Sequence, residues 1–592
     1  MELIPGIKRA VQTVLAEKYN YSIESDEVLI NDTKPEFPGE YTVVLFSFSK
    51  FLKIGPDKLG QELGDALMTS IPGWIADYNV IKGFLNLVLT DIVLTDFLNA
   101  HFNELSFGTG SANSKRVMVE YSSPNTNKPL HLGHLRNNFL GWSVAAIHKR
   151  CGYDVVKTCI ANDRGIHICK SMVSWKLFAN GATPKSTGIK GDHFVGDYYV
   201  LFGVELKKQI DHAVALGQSR EEAEREAPLM KAAQQMLIDW EAGVPEVIEL
   251  WRKMNAWVYE GFDITYRRIG SDFDKIYYES QTYLLGKNLV EYGLNKNVFF
   301  KKPDGSVWIN LASDGLDEKI VQRSDGTSVY MTQDIGLVEE KYEQFHPDQN
   351  IYVVADEQNY HFKVLRLICQ KLELPSASGI YHLSYGLVEL PSGRMKTREG
   401  TVVDADDIID EMTGIAAKHT EELGKVEDFT KEEREDLYDT IGLGALKFFL
   451  LRVDPKKRMV FNPDESIDFH GFTGPFIQYT HARIKSILRK EPVGEFLSDK
   501  IAALLPLEKQ LLILMEKYPL LIKQACAEMN PSLVANYIYS VAKTFNSFYA
   551  EHSVSRAETE EKKQLRLRIC VMTANIIKSS MSLLGIKVPE RM

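Results

Sequence analysis

The chain has 592 residues, 44% of them apolar and 25% charged, with a net charge of −11; these values argue against wholesale disorder, and the length suggests about three to five domains. The longest apolar runs are short and broken by charge, so no segment reads as membrane-spanning and no membrane partner is expected. Six cysteines without a Cys-x-x-Cys pair argue against a disulfide framework or a cysteine zinc cluster and point to a reducing, cytoplasmic compartment.

The first twenty residues lack an apolar signal core and carry Glu2 and Glu17, which argues against a secretory leader. Ile4, Ile7, Val11 and Leu15 recur at helical spacing instead. Residues 1–110 read as a mixed α/β domain with strands predicted over 41–47 and 84–89. Residues 108–114 (GTGSANS) read as a linker. A strand is predicted over 116–121, then a turn-rich stretch, then a long helix from near His131. That helix carries Leu135, Phe139, Trp142 and Ala146 on one face, with Gly152 past its end as a C-cap. The pattern returns at 350–372, with IYVVA as a strand and a helix over 361–372. Strands alternating with helices predict a parallel sheet covered on both faces, an α/β domain over 111–390. A polar, helical insertion interrupts it at about 170–265. Residues 391–465 form a connecting region, and 466–592 an all-α domain.

Charge is uneven along the chain. Residues 466–592 carry 17 Lys and Arg against 12 Asp and Glu, a local +5, whereas residues 1–110 carry 8 against 15, a local −7. A basic helical segment is ordinarily a solvated face, and becomes an RNA-binding candidate only beside other signals.

The most informative stretch is 117–138, VMVEYSSPNTNKPLHLGHLRNN. A strand, a run of turn formers and a helix starting near His131 would aim free helix N-terminal N–H groups outward, which favours phosphate. His131 and His134 share one face of the first turn. Gly133 has no side chain, so a flat base can approach the backbone. Two imidazoles beside a triphosphate can donate to charge building on phosphorus. As alternatives, His-x-x-His can bind zinc, although no third ligand is evident nearby, or can be helix-capping surface groups.

The flanking residues favour the first reading. The string VEYSSPNTNKPLHLGHLRNN resembles the HxGH signature of class I aminoacyl-tRNA synthetases, and of the arginyl-tRNA synthetase family in particular. The resemblance covers nearly the whole chain. It implies a Rossmann-type catalytic domain, a mixed α/β N-terminal domain touching the D-loop corner of tRNA, and an α-helical anticodon-binding domain. It also implies a second signature, a KMSKS loop within a loop and stem-contact region over 391–465, for which the candidate is GRMKTREGTVV at 393–403. Here the pattern departs. Arg394 stands for the first Lys, Met395 matches, and Thr397 takes the second Lys position, with Lys396 and Arg398 beside it. Relatives with such a loop often carry a Lys just before HxGH, a place that Lys128 fits. Cations near the phosphates matter more than their place in the sequence.

The same resemblance offers a pocket for a guanidinium, which is planar and permanently charged. Glu120 and Asp334 match acidic partners, Tyr330 an aromatic one, Asn125 and Gln358 residues near the α-amino group, and His361 one near the adenosine. His131, Gly133, His134 and Met395 match ATP-binding positions. Residues 262–280 resemble the stretch joining the two halves of the catalytic domain, and 161–165 diverge from the family, with no role assigned. Residues 471–489 resemble the start of the anticodon domain. Phe476, Tyr479 and Tyr549 match aromatics that contact the anticodon loop, Arg483 and Arg489 are candidates for phosphate contact, and Met592 matches the family's C-terminal residue. The expected partners are L-arginine, ATP with its Mg²⁺ and tRNA(Arg). No zinc is expected, and the expected state is a monomer. Another class I synthetase, a small-molecule adenylyltransferase and an inactive RNA-binding paralogue are the competing readings.

Overall fold

The computed structural model describes residues 3–391, 403–422, 424, 426–494 and 503–592. The candidate loop residues Arg394, Met395, Lys396 and Arg398 lie outside the described residues.

The central unit is a five-stranded sheet, all parallel, in the order Ile380–Tyr385, Gln349–Ala355, Arg116–Glu120, Asp154–Ala161, Lys275–Tyr278. From the first strand in sequence, Arg116–Glu120, the chain winds one way through the next two and the other way through the last two. The crevice beyond the carboxyl ends of Arg116–Glu120 and Gln349–Ala355 is therefore the switch point where open α/β sheets take ligands.

The helix that follows the first strand, Leu132–Arg150, is buried on nearly all sides. A single apolar face, as expected from Leu135, Phe139, Trp142 and Ala146, does not describe it. Arg136, Asn137 and Asn138 are buried as well. They are tolerable there because each is hydrogen-bonded. Arg136 donates to the carbonyls of Lys457 at 2.8 Å and Pro455 at 3.3 Å. Asn137 accepts from the Ser122 amide at 2.6 Å and donates to the Val353 carbonyl at 2.7 Å and the Tyr385 hydroxyl at 3.2 Å. One side chain thus ties the helix to the ends of three strands.

Helices Ile166–Phe178, Gly191–Ala215, Pro228–Glu241 and Pro245–Ile269 fill the interval between the second and third strands. Between the third and fourth strands lies a small antiparallel sheet of Phe299–Lys301, Val307–Ile309 and Lys319–Gln322, which the sequence did not announce.

The N-terminal unit is a four-stranded antiparallel sheet, Ile30–Asp32, Tyr41–Val44, Phe84–Leu89 and Ile75–Ile81 in spatial order, with helices Leu3–Tyr19, Pro56–Ser70 and Asp91–His101. The strand predicted over 41–47 stops at Val44, and Phe46–Leu52 is a helix. The cause is pairing: Val44 lies opposite Phe84, where the partner strand begins, and only the Leu45 amide still reaches across, to the Gly83 carbonyl at 3.2 Å.

This unit docks on the C-terminal helices. Buried Glu516 accepts from the amides of Leu3 at 2.9 Å and Ile4 at 3.1 Å and from the Tyr41 hydroxyl at 2.6 Å. Glu40 pairs with Lys509 and Asp32 with Lys517. The acidic first domain thus places part of its charge against the basic last one. From Gly474 to Leu583 the described chain is helical, closing on Glu560–Leu583. No helix among the described residues is long and apolar enough to cross a membrane.

Candidate active site

The turn after Arg116–Glu120 is strained and held from several sides. Ser122 and Ser123 have φ of 78° and 46°, the left-handed region that side chains disfavour. The Ser122 hydroxyl shares a hydrogen with Tyr266 at 2.6 Å and accepts from Asn138 at 3.1 Å. This turn delivers His131 to the N-cap of Leu132–Arg150.

The two histidines cap the helix themselves. The Gly133 amide donates to His131 Nδ1 and the His131 amide to His134 Nδ1, both at 3.1 Å. The amides of His134 and Leu135 bond the His131 carbonyl, and that of Leu132 bonds the Val403 carbonyl. The expectation of free helix N–H groups is therefore corrected, because each of these donors already has a partner. The imidazoles are the donors that this turn has left to offer. Burial, with Lys128 nearby, pushes the His131 pKa down to about 3. Burial drives His134 well below its usual range too, with His131 and Lys128 adding. Both rings are thus neutral, and each Nδ1 accepts a hydrogen bond, so the proton resides on Nε2. The rings lie 3.9 Å apart, centroid to centroid, as a pair of Nε2–H donors. Gly133 serves the same device: a Cβ there would meet His131 Cε1 at 3.0 Å and press on the ring. Lys128 is half-buried, and burial lowers its ammonium pKa.

Beside this turn opens a cavity of about 790 Å³ lined by Asn125, Arg164, Glu279, Tyr330, Gln333 and Asp334, among others. Tyr330 begins the helix Tyr330–Phe345 and is 74% exposed, so its ring is not a packing residue. Asp334, one turn on, accepts from His361 Nε2 at 2.7 Å. His361, expected near adenosine, is thus engaged with the carboxylate of the cavity. Asn125 is exposed and forms a lone parallel bridge with Asn162. Gln358 is exposed and ends the helical turn Asp356–Gln358 that follows the fourth strand.

Glu120 differs from the expectation most. It is buried, and its Oε2 lies 2.6 Å from Lys341 Nζ, itself 1% exposed and 4.8 Å from the Tyr352 ring centre. The carboxylate that the resemblance offers to a guanidinium already carries a resident cation.

The structure supplies residues that sequence reasoning missed. Glu279 lines the cavity, and burial, with Asp163 and Asp334 near it, pushes its pKa up to about 7. It sits in the 262–280 stretch, for which the resemblance implies only a join between the two halves of the catalytic domain. The 161–165 turn, left without a role, is a wall of the cavity. Buried Asp163 accepts from the Ser280 amide and hydroxyl and the Tyr259 hydroxyl, at 2.7–2.8 Å. Arg164 pairs with Glu241 at 2.7 Å and lies over the Tyr283 ring at 4.0 Å.

In the C-terminal helices, Arg483 lies 4.8 Å from the Tyr479 ring centre and 5.6 Å from that of Tyr549, so three of the expected RNA contacts form one cluster. Phe476 packs on Tyr539, Arg489 donates to the Glu590 carbonyl at 2.9 Å, and Met592 packs partly buried against the core.

Known proteins define what this arrangement is. Residues 98–462 match the family described as tRNA synthetases class I (R), catalytic domain, and residues 477–592 the DALR anticodon binding domain. The sheet and its histidine turn are thus a class I aminoacyl-tRNA synthetase catalytic domain. Arginine–tRNA ligases of Flavobacterium psychrophilum and Amoebophilus asiaticus are 50% and 48% identical to the chain, over 100% and 99% of both sequences. The chain belongs to the arginine–tRNA ligase family. Its fold is that of the arginyl-tRNA synthetases of Thermus thermophilus, with a TM-score of 0.82 at 23% identity, and Plasmodium falciparum, 0.76 at 18%, each over the full length of both chains.

Proposed function

We propose that the chain activates L-arginine with ATP and transfers it to the terminal adenosine of tRNA(Arg) at this switch-point site. The arginine carboxylate attacks the α-phosphorus in line and pyrophosphate leaves. The adenosine hydroxyl then attacks the adenylate carbonyl and AMP leaves. The observation that carries this reading is the pair of neutral Nε2–H imidazoles beside a cavity that holds the carboxyl groups of Glu279 and Asp334. His131 and His134 donate to charge that grows on the phosphate oxygens as the transition state forms. Lys128 adds a cation, and the basic residues Arg394, Lys396 and Arg398, with Met395 beside the nucleotide, complete the phosphate end. Mg²⁺ enters with ATP as part of the substrate. Positioning and charge stabilisation do the catalysis, with no covalent enzyme intermediate.

At the arginine end, Asp334 and Glu279 take the guanidinium, with Tyr330 against it. Asn125 and Gln358 hold the α-amino group, Glu120 serves as a neutralised wall, and His361 orients Asp334. Tyr479, Arg483 and Tyr549 form the anticodon-loop contact, with Phe476, Arg489 and Met592 bordering it, and the N-terminal unit touches the D-loop corner. The enzyme works as a cytoplasmic monomer.

Arginine-dependent ATP–pyrophosphate exchange, run with and without tRNA, tests the reading. Exchange is expected with arginine alone among the amino acids, and only when tRNA is present. Exchange with another amino acid, or none under any condition, overturns it.

The cavity also predicts a pH effect. Burial keeps Glu279 protonated up to about pH 7 in the free enzyme. A guanidinium favours the carboxylate, so binding arginine releases a proton there. The arginine KM should fall as pH rises toward 7, by at most about tenfold per unit, and level off above. Glu279→Gln should flatten that slope, whereas Asp334→Asn should raise KM at every pH. An unchanged slope in Glu279→Gln removes Glu279 from the pocket.

A further inference from the structure

Val403, Asp404 and Ala405 run alongside the histidine turn. The Leu132 amide donates to the Val403 carbonyl at 3.3 Å and the Ala405 amide to the Leu130 carbonyl at 3.0 Å, while Asp404 and His131 form an antiparallel bridge. These bonds fix the main chain at the residue that caps the helix, so whatever anchors residues 403–406 also sets the His131 ring.

The anchor is a polar cluster on the helical insertion. Asp406 Oδ2 accepts from Lys190 Nζ at 2.6 Å and His193 Nε2 at 3.0 Å, and its Oδ1 accepts from Thr265 at 3.0 Å. Lys190 also reaches Asp192 at 3.0 Å and the Thr265 hydroxyl at 2.6 Å. Asp404 accepts from the Asp406 amide at 2.8 Å and lies 3.5 Å from His193 Nε2. Asp192, His193 and Asp406 hold their ligand atoms within 4.8 Å of one another, a spacing a divalent cation would suit. The Lys190 ammonium, bonded to both carboxylates, already supplies that positive charge, so the cluster is an ion-pair network.

Lys190, Asp192 and His193 stand at the start of Gly191–Ala215, and Thr265 on Pro245–Ile269. The first of these helices also supports the other flank of the turn. A Cβ on Gly196 would lie 2.8 Å from Pro129 Cδ, so the helix backbone abuts the residue after Lys128. The insertion therefore grips the histidine turn from two sides.

We propose that Asp406 is a positioning residue for arginine activation: it fastens residues 403–405 to the insertion and, through their main-chain bonds, holds His131 in its capping, Nε2–H-donating orientation. The inference rests on the assignment of His131 and His134 to activation. Small misplacements of reacting groups cost rate far more than they cost binding.

The test is kinetic. Asp406→Ala removes the acceptor of three donors and should lower the kcat of tRNA-dependent pyrophosphate exchange about 10- to 100-fold, with KM for ATP and arginine changed less than about twofold. Asp406→Asn keeps the shape and loses the charge. It should give a smaller fall of the same kind, and is the variant to measure if Asp406→Ala unfolds. His193→Gln should lower kcat too, and by less in the Asp406→Asn background than alone. Full kcat in the Asp406 variants, or a loss carried by KM, overturns the proposal. His134→Ala separates the two claims. If it is inactive while the Asp406 variants turn over normally, only the positioning role fails. If it is near-normal, the underlying assignment fails.

Discussion

His134→Ala should cut the rate of arginine activation about 10²–10³-fold, the usual loss when one transition-state donor is removed. Two roles end in that substitution. The Nε2–H proposed to donate to the phosphate is lost, and so is the Nδ1 acceptor of the His131 amide at 3.1 Å. The second loss resembles removal of a helix cap, about 1 kcal/mol of local stability. The tRNA affinity should stay unchanged, because the cluster of Tyr479, Arg483 and Tyr549 proposed to contact RNA belongs to another domain. Single-turnover adenylate formation separates the chemical step from tRNA binding. A near-normal rate would refute the assigned role. Because burial holds His131 down to about 3, that ring should contribute no titration to the rate between pH 5 and 8, and burial shifts any titration of His134 well below the usual imidazole range.

Lys341→Met should destabilise the catalytic domain by about 3–5 kcal/mol, the range for breaking a buried ion pair from one side. The variant leaves the Glu120 carboxylate buried without its cation 2.6 Å away, and it also removes the ammonium from the Tyr352 and Tyr277 rings. The loss should shrink as pH falls, because an orphaned buried carboxylate takes up a proton. Adding Glu120→Gln to Lys341→Met should recover much of the stability, since the uncompensated charge is gone. Urea denaturation followed by tryptophan fluorescence and by loss of arginine-dependent exchange reads this out. Equal midpoints for Lys341→Met and the parent chain would show that the pair is not what holds Glu120.

What the sequence made legible was contiguous. The histidine turn, its strand and its helix all lie between Arg116 and Arg150, and the local chemistry of turn formers and capping groups marks them directly. The cavity is the opposite case. Glu120 and Lys341 are 221 positions apart, and nothing in the sequence EEKYE distinguishes a buried lysine from a solvated one. Glu279 and Asp163 acquire their meaning only when the third strand and the insertion fold against each other. The small sheet at 299–322 went unseen because strands of three or four residues are too short to show an alternation. The strand at 41–47 was over-read because its end is set by a partner forty residues away.

The net charge of −11 is likewise an average over parts that touch, and the acidic first domain lies partly against the basic last one. Their junction bears on how the protein is made. Leu3 and Ile4 find their acceptor in Glu516, 513 and 512 positions further on. The N-terminal unit therefore cannot make this contact until the helix that carries Glu516 has been synthesised. Contacts of such sequence separation form late and are costly in loop entropy. Until then the N-terminal sheet depends on its own core, so its contact with the C-terminal helices is a docking of two domains rather than part of the folding of either.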